Sequence, residues 1–338
     1  MAGTVRSRRL RRSDCAGQGI ARRRRGRGFS YLDADGERVE DPETLERIGE
    51  LAIPPAWQQV WVCPDPLGHI QATGIDAAGR KQYLYHARWQ QRQAERKFEA
   101  VREFAAALPR LRRAVTADLK RQGMPRERAL ACAVRLLDLG FFRVGGESYA
   151  EENESYGLAT IRREHVTVSG GEAVFDFPAK SGQRRVQSIR DPAAIRAIEA
   201  MRRRRGGPDD LLAWRQGGEW RDVRSDDVNA YVKEKIGERF SAKDFRTWHG
   251  TVLAAVELAG EPVPESEAAA KRSVSAAVGR VAEALGNTPA VCRRSYIDPR
   301  VLDRFRDGEQ IQATASANGK LSAKRRAKLE REVLRLIS

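Results

Sequence analysis

One tyrosine closes the segment Asn287-Thr288-Pro289-Ala290-Val291-Cys292-Arg293-Arg294-Ser295-Tyr296, directly after an Arg-Arg pair and a serine. A phenol can attack a phosphodiester, but it ionises near pH ~10 and is a weak nucleophile at neutral pH without help. The help must be cationic, and four other positions have suitable chemistry. Arg143 sits in Phe141-Phe142-Arg143-Val144-Gly145 after an apolar stretch, and Lys180 in the turn Phe177-Pro178-Ala179-Lys180-Ser181-Gly182. Arg246 lies in Lys243-Asp244-Phe245-Arg246-Thr247-Trp248-His249-Gly250, and Asn287 follows a helix end. Two guanidiniums can fork onto the non-bridging oxygens of a phosphoryl transition state, and an amide can add a further donor. A lysine crowded by arginines and cut off from water gives up a proton readily to a departing alkoxide. Taken singly, each is also what surface charge looks like in a chain with 62 Lys and Arg among 338 residues. Together they fit one job, phosphoryl transfer through a tyrosine.

The formal net charge is +16, which favours a polyanion, with nucleic acid first among candidates. Cys15, Cys63, Cys132 and Cys292 form no C-x-x-C pair, and His69, His86, His165 and His249 are equally scattered. No metal site and no cofactor is therefore expected, and free thiols point to a reducing cytoplasm. Apolar runs of a few residues fall far short of a bilayer span, and no leader pattern precedes them. A G-x-x-x-x-G-K-[ST] phosphate loop is absent from the sequence.

The elements that must position these residues are of two kinds. Residues 1–28 hold ten arginines and one acid, Asp14, and read as a disordered basic arm. Residues 29–88 alternate short apolar stretches with turns, which predicts a small antiparallel sheet with a helix over 42–51. Asp33-Ala34-Asp35-Gly36 within it reads as a hairpin turn rather than a magnesium pair. Residues 89–308 turn helical, with amphipathic stretches at 89–107, 111–121, 125–140, 192–205, 226–238, 244–258 and 265–285. Three β-like segments interrupt them at 159–168, 173–177 and 184–189. Gly286 reads as a helix stop, and Thr288-Pro289 as the start of a short helix carrying Tyr296. Residues 309–338 read as a tail that ends in a basic amphipathic stretch. The expected class is α+β: a small β-rich domain followed by a mainly helical domain with a short three-stranded sheet.

Five blocks in order resemble the type IB DNA topoisomerases, in the bacterial branch similar to the poxvirus enzymes. They are Ile53-Pro54-Pro55-Ala56-Trp57, Gly79-Arg80-Lys81-Gln82-Tyr83-Leu84-Tyr85-His86, Phe141-Phe142-Arg143-Val144-Gly145, Tyr156-Gly157-Leu158-Ala159-Thr160 and the Asn287–Tyr296 segment. The resemblance implies a monomeric two-domain clamp on duplex DNA, nucleoid-associated in the cytoplasm, that relaxes supercoils without ATP or metal. It implies that Tyr296 forms a 3′-phosphotyrosyl link, that Arg143, Arg246 and Asn287 stabilise the transition state, and that Lys180 protonates the 5′-oxygen. The poxvirus enzymes place a histidine where Asn287 stands. An amide can donate to an oxyanion but cannot carry a proton, so that role is not transferred.

Arg80, Lys81, Arg184, Arg185 and Lys243 read as phosphate contacts, whereas Arg202–Arg205 reads as a solvated helix end. Trp57, Trp61, Tyr83 and Tyr85 read as core of the small sheet. Two rivals remain open. A tyrosine site-specific recombinase uses a similar pocket, but typically shows His-x-x-Arg where this chain has Lys243-x-x-Arg246, and its N-terminal domain is helical. A non-catalytic nucleoid-type DNA-binding protein needs only the charge.

Overall fold

The computed structural model describes residues 9–146, 155–312 and 323–338. The chain forms two compact units, Met1–Lys97 and Phe98–Ser338.

In the first unit, β1 (Ile20–Arg25), β2 (Gly28–Leu32), β3 (Gln58–Val62), β4 (Ile70–Ile75) and β5 (Lys81–Tyr85) form one antiparallel sheet in the order β2-β1-β3-β4-β5. The helix α1 (Pro42–Glu50) has proline in its first turn, and the Asp41 carboxylate accepts from the Thr44 N–H at 2.9 Å. Its Ile48 is buried with Ile20, Ile53, Val60, Val62 and Ala72 in the core of this unit. Trp57 packs against that core, but Tyr83 and Tyr85 do not: both are exposed, with rings stacked 6.2 Å apart.

The expected disordered arm over 1–28 is corrected by β1. A run of arginines repels itself in an open chain, but here strand geometry sends successive side chains to opposite faces. Ile20 points into the core. The Arg22 guanidinium donates to the carbonyls of Ile53, Pro54 and Trp57 at 3.3, 3.1 and 2.7 Å. Residues 9–19 are also tied down, through Arg11 N–H to Leu67 O and His69 N–H to Arg11 O, both 2.9 Å. Residues 1–8 of the arm lie outside the described residues.

The division at Lys97 falls within α2 (Ala87–Asp118), which is one helix containing Pro109 where two were expected. The second unit continues with α3 (Arg126–Leu139), then the antiparallel sheet β6 (Val166–Ser169), β7 (Glu172–Ala179) and β8 (Gln183–Ile189). Next come α4 (Pro192–Arg202), a hairpin β9 (Ala213–Gln216) and β10 (Glu219–Asp222), α5 (Ser225–Ile236), α6 (Ala242–Ala259) and α7 (Glu267–Leu285). The chain ends in α8 (Pro289–Ser295), α9 (Pro299–Arg306) and α10 (Ala323–Leu336). The α+β class is therefore the observed one. The hairpin β9–β10, turned by Gly217-Gly218, had no expectation attached to it.

The 309–338 tail is the second correction. Leu329, Val333 and Ile337 are buried in the main core, and α10 packs on α6 and α9. Burying each such side chain contributes about 1.5–3 kcal/mol. Residues 313–322 lie outside the described residues. Arg204, expected on a solvated helix end, is also buried, and its fork donates to the carbonyls of Met201, Leu211 and Pro208 at 2.8, 2.9 and 2.7 Å.

Candidate active site

Tyr296 is the C-cap of α8, its N–H bonded to Cys292 O at 2.8 Å. What brings it back against the helical core is the turn between α7 and α8. Gly286 ends α7 at φ 61°, a left-handed conformation that glycine adopts without strain. Thr288 then caps α8 and Pro289 opens it. On the opposing helix α6, Gly250 lies one turn beyond Arg246. A side chain there would begin 2.4 Å from the Tyr296 carbonyl oxygen, so glycine is what lets the two segments touch.

Arg246 is 4% exposed. Its Nη1 donates to Phe141 O at 2.6 Å and its Nη2 to Leu285 O at 2.7 Å, while Cζ stands 5.1 Å from the Tyr296 ring centroid. The Nε is buried without a hydrogen-bond partner. Burial pushes the Arg246 guanidinium below its ordinary pKa and Arg143 lowers it further, whereas Tyr296 raises it by charge and hydrogen bonding. A buried cation beside a second cation is a place where an anion is stabilising.

Arg143 follows α3, and its carbonyl accepts from the Leu158 N–H at 2.8 Å. Its Nη2 donates to Gly286 O at 2.7 Å and to Asn287 Oδ1 at 2.8 Å. The Asn287 amide is thereby oriented: its oxygen faces Arg143, and its Nδ2 makes only a long 3.4 Å contact with Leu285 O. Cys292 is buried beneath, its thiol pushed up to about 11 by burial against the opposing pull of Arg246, which fits packing.

Arg143, Arg246, Asn287 and Tyr296 thus meet in one place, and Lys180 does not join them. It is exposed in the turn between β7 and β8, and among the described residues no hydrogen bond or ion pair links it to the other four. The expectation of a lysine cut off from water is corrected, because a hairpin tip turned by Gly182 at φ 69° stands out in solvent.

The expected DNA contacts fall into different settings. Lys243 is exposed in the first turn of α6. Arg184 is exposed and forked onto Asp176. Arg185 donates to Glu283 O and Ala284 O at 3.2 and 2.6 Å, so it caps the C-terminus of α7, a role the sequence did not signal. In the first unit, exposed Arg80 pairs with Asp76 at 3.0 Å, and the Lys81 ammonium lies 5.9 Å from the Tyr83 ring.

Among the described residues, no group of three or more His, Cys, Asp and Glu side chains is placed to hold a metal ion, and no helix is long and apolar enough to cross a membrane.

Comparison with known proteins bears on what this pocket is. Residues 86–323 match the family model for the catalytic core of eukaryotic DNA topoisomerase I, and residues 28–76 match that for the N-terminal domain of bacterial DNA topoisomerase IB. DNA topoisomerase 1B of Acanthamoeba polyphaga mimivirus is 32% identical over 302 residues, covering 87% of this chain and 89% of that one. DNA topoisomerase 1B of vaccinia virus (strain Copenhagen) is 23% identical over 280 residues, covering 79% and 84%. DNA topoisomerase 1 of Schizosaccharomyces pombe is 27% identical over 169 residues, 49% of this chain and 20% of the other.

Proposed function

The chain belongs to the type IB DNA topoisomerases, and from that premise we propose that it relaxes supercoiled duplex DNA through a 3′-phosphotyrosyl intermediate on Tyr296. The Tyr296 oxygen bonds to phosphorus in line with the departing 5′-oxygen. The phenol's proton passes to solvent, and Lys180 gives its proton to the departing 5′-oxygen, which leaves as the 5′-hydroxyl. The freed strand rotates, and the 5′-hydroxyl then attacks the phosphotyrosine, restoring the phosphodiester and the phenol. The bond energy is conserved across the two steps, so ATP has no part in it. Arg143 and Arg246 stabilise the charge on the non-bridging oxygens, where one preorganised donor is typically worth about 10²–10³ in rate. Asn287 holds Arg143 by its oxygen and offers Nδ2 to the phosphate. Lys180 acts from the exposed hairpin, reaching the 5′-oxygen when DNA occupies the site.

The observation that carries this reading is the junction of Arg143 with Asn287 at 2.8 Å and of Arg246 with the Tyr296 ring at 5.1 Å. The β-rich first unit and Lys243-x-x-Arg246 favour it over a recombinase. The test is relaxation of a supercoiled plasmid in EDTA without ATP, together with trapping of the covalent adduct. The wild-type protein is expected to relax any supercoiled circle and to carry the adduct on Tyr296. The Tyr296→Phe variant is expected to lose both while still binding DNA. Undiminished relaxation by that variant would sink the mechanism; a wild-type protein that binds DNA without relaxing it or forming the adduct would be a DNA-binding protein alone, and a requirement for paired sites would indicate a recombinase.

A further inference from the structure

Behind the pocket lies a partly buried ion network that the proposed chemistry does not use. Arg112 of α2 donates to both oxygens of Asp138, at 2.9 and 2.8 Å, and to both of Glu330, at 2.6 and 2.8 Å. Arg326 of α10 donates to the Asp138 backbone oxygen at 2.6 Å, to Asp138 Oδ1 at 2.8 Å and to Glu330 Oε1 at 3.1 Å. Two guanidiniums therefore face two carboxylates, and the set balances. Burial alone would raise the Asp138 carboxyl, but Arg326 and Arg112 hold it well below the usual carboxylate range. Glu330 is held down by the same two arginines against its own burial.

The network touches the catalytic arginine's supports at two points. Asp138 is in the last turn of α3, three residues before Phe141, whose carbonyl accepts from Arg246 Nη1 at 2.6 Å. His249, one turn beyond Arg246 on α6, stands edge-on to the Phe141 ring at 5.6 Å. Its Nε2 lies 3.5 Å from Arg326 Nη2, and its Nδ1 is buried without a partner. Arg326 thus grips the end of α3 on one side of Phe141, while Arg246 leans on the carbonyl at the other.

We propose that Arg326 and Glu330, on the C-terminal helix, are positioning residues for Arg246 and Arg143: they fix the exit of α3 so that both guanidiniums meet the scissile phosphate. Helix packing alone would not require this. Leu329, Val333 and Ile337 already supply an apolar face, whereas the arginine fork onto a backbone carbonyl fixes where that carbonyl's chain leads. Misplacing a catalytic group by a fraction of its bond length is enough to slow chemistry without weakening binding.

The inference rests on the reading of Tyr296 as nucleophile, and the experiment separates the two. Single-turnover cleavage of a labelled duplex is measured for the full chain, for Arg326→Ala and Arg326→Lys, and for Lys328→Ala as an exposed control on the same helix. Folding is checked by circular dichroism and DNA affinity by titration. Arg326→Ala is expected to cleave roughly ten- to a hundredfold more slowly with unchanged DNA affinity. Arg326→Lys, which keeps the charge but not the fork, should recover part of the loss, and Lys328→Ala should cleave normally. In the Arg246→Ala background the Arg326→Ala loss should shrink, because only Arg143 is then left to position. A folded Arg326→Ala that cleaves at the wild-type rate overturns the proposal, as does a loss that stays additive with Arg246→Ala. If neither Arg326 variant folds, the network serves folding alone and the proposal is also overturned. Absence of any adduct in the wild-type protein would refute the reading of Tyr296 instead.

Discussion

At the scale of single residues, the informative pair is Asn287 with Arg143. An asparagine next to a phosphate site is usually read as one more donor, yet here its oxygen is engaged by Arg143 at 2.8 Å. On the proposed mechanism the side chain has two jobs, holding Arg143 and donating to the phosphate, and Asn287→Ala removes both. Cleavage by that variant is expected to fall by about 10²–10³. Much of the loss should disappear when Arg143 is already alanine, which a double-mutant cycle on single-turnover rates would measure. A fully additive cycle would mean that the amide acts on the phosphate alone. The residue types of this cluster were legible in the sequence, because few side chains can do this chemistry. The arginines were less so. Arg22, Arg185 and Arg204 all read as free cations or solvated charge, but each has its fork on a set of backbone carbonyls. Five donors in a rigid plane suit carbonyl clusters as well as phosphates. Those clusters exist only once distant segments have come together.

Elements were easiest to read where one periodicity dominated. The strands β2 to β5 and the helices α3 through α7 follow apolar patterns with turn or cap residues at their ends. The C-terminal helix shows the opposite case. Lys and Arg at 324, 325, 326, 328 and 331 dominate its composition, while its apolar stripe of Leu329, Val333 and Ile337 is only four residues apart in spacing. Such a stripe cannot be told from a solvated amphipathic tail until a partner surface is known, and that surface is α6 and α9. The distinction is measurable. Leu329→Ala should destabilise the protein by about 2–5 kcal/mol in chemical denaturation, as for other buried leucines. The exposed Lys328→Ala should stay within roughly 0.5 kcal/mol. Equal, negligible effects would return the segment to a tail. The hairpin β9–β10 was missed for a simpler reason. Its two four-residue strands are rich in charge and lie between helices, so only the Gly217-Gly218 turn marked them in the sequence.

For the whole molecule, net charge sets the affinity for DNA, but +16 overstates what is available to phosphates. Arg22, Arg112, Arg185, Arg204 and Arg326 each have donors on carbonyls or carboxylates within the fold. Exposed cations such as Lys81, Lys180, Lys243, Arg293 and Arg294 remain. Each phosphate neutralised releases condensed counterions, so the logarithm of the binding constant falls linearly with that of salt, by about 0.9 per contact. If roughly six to ten phosphates are met, affinity should drop by about 10³–10⁵ between roughly 50 and 200 mM salt. Titration of a labelled duplex across that range gives the slope. A slope approaching the full net charge would mean that the internal forks open onto DNA, and a flat one would mean that charge is not what holds the duplex. Tyr296→Phe should leave the slope unchanged, since it removes no cation. Affinity and chemistry would then be separable in one variant, as the proposed mechanism requires.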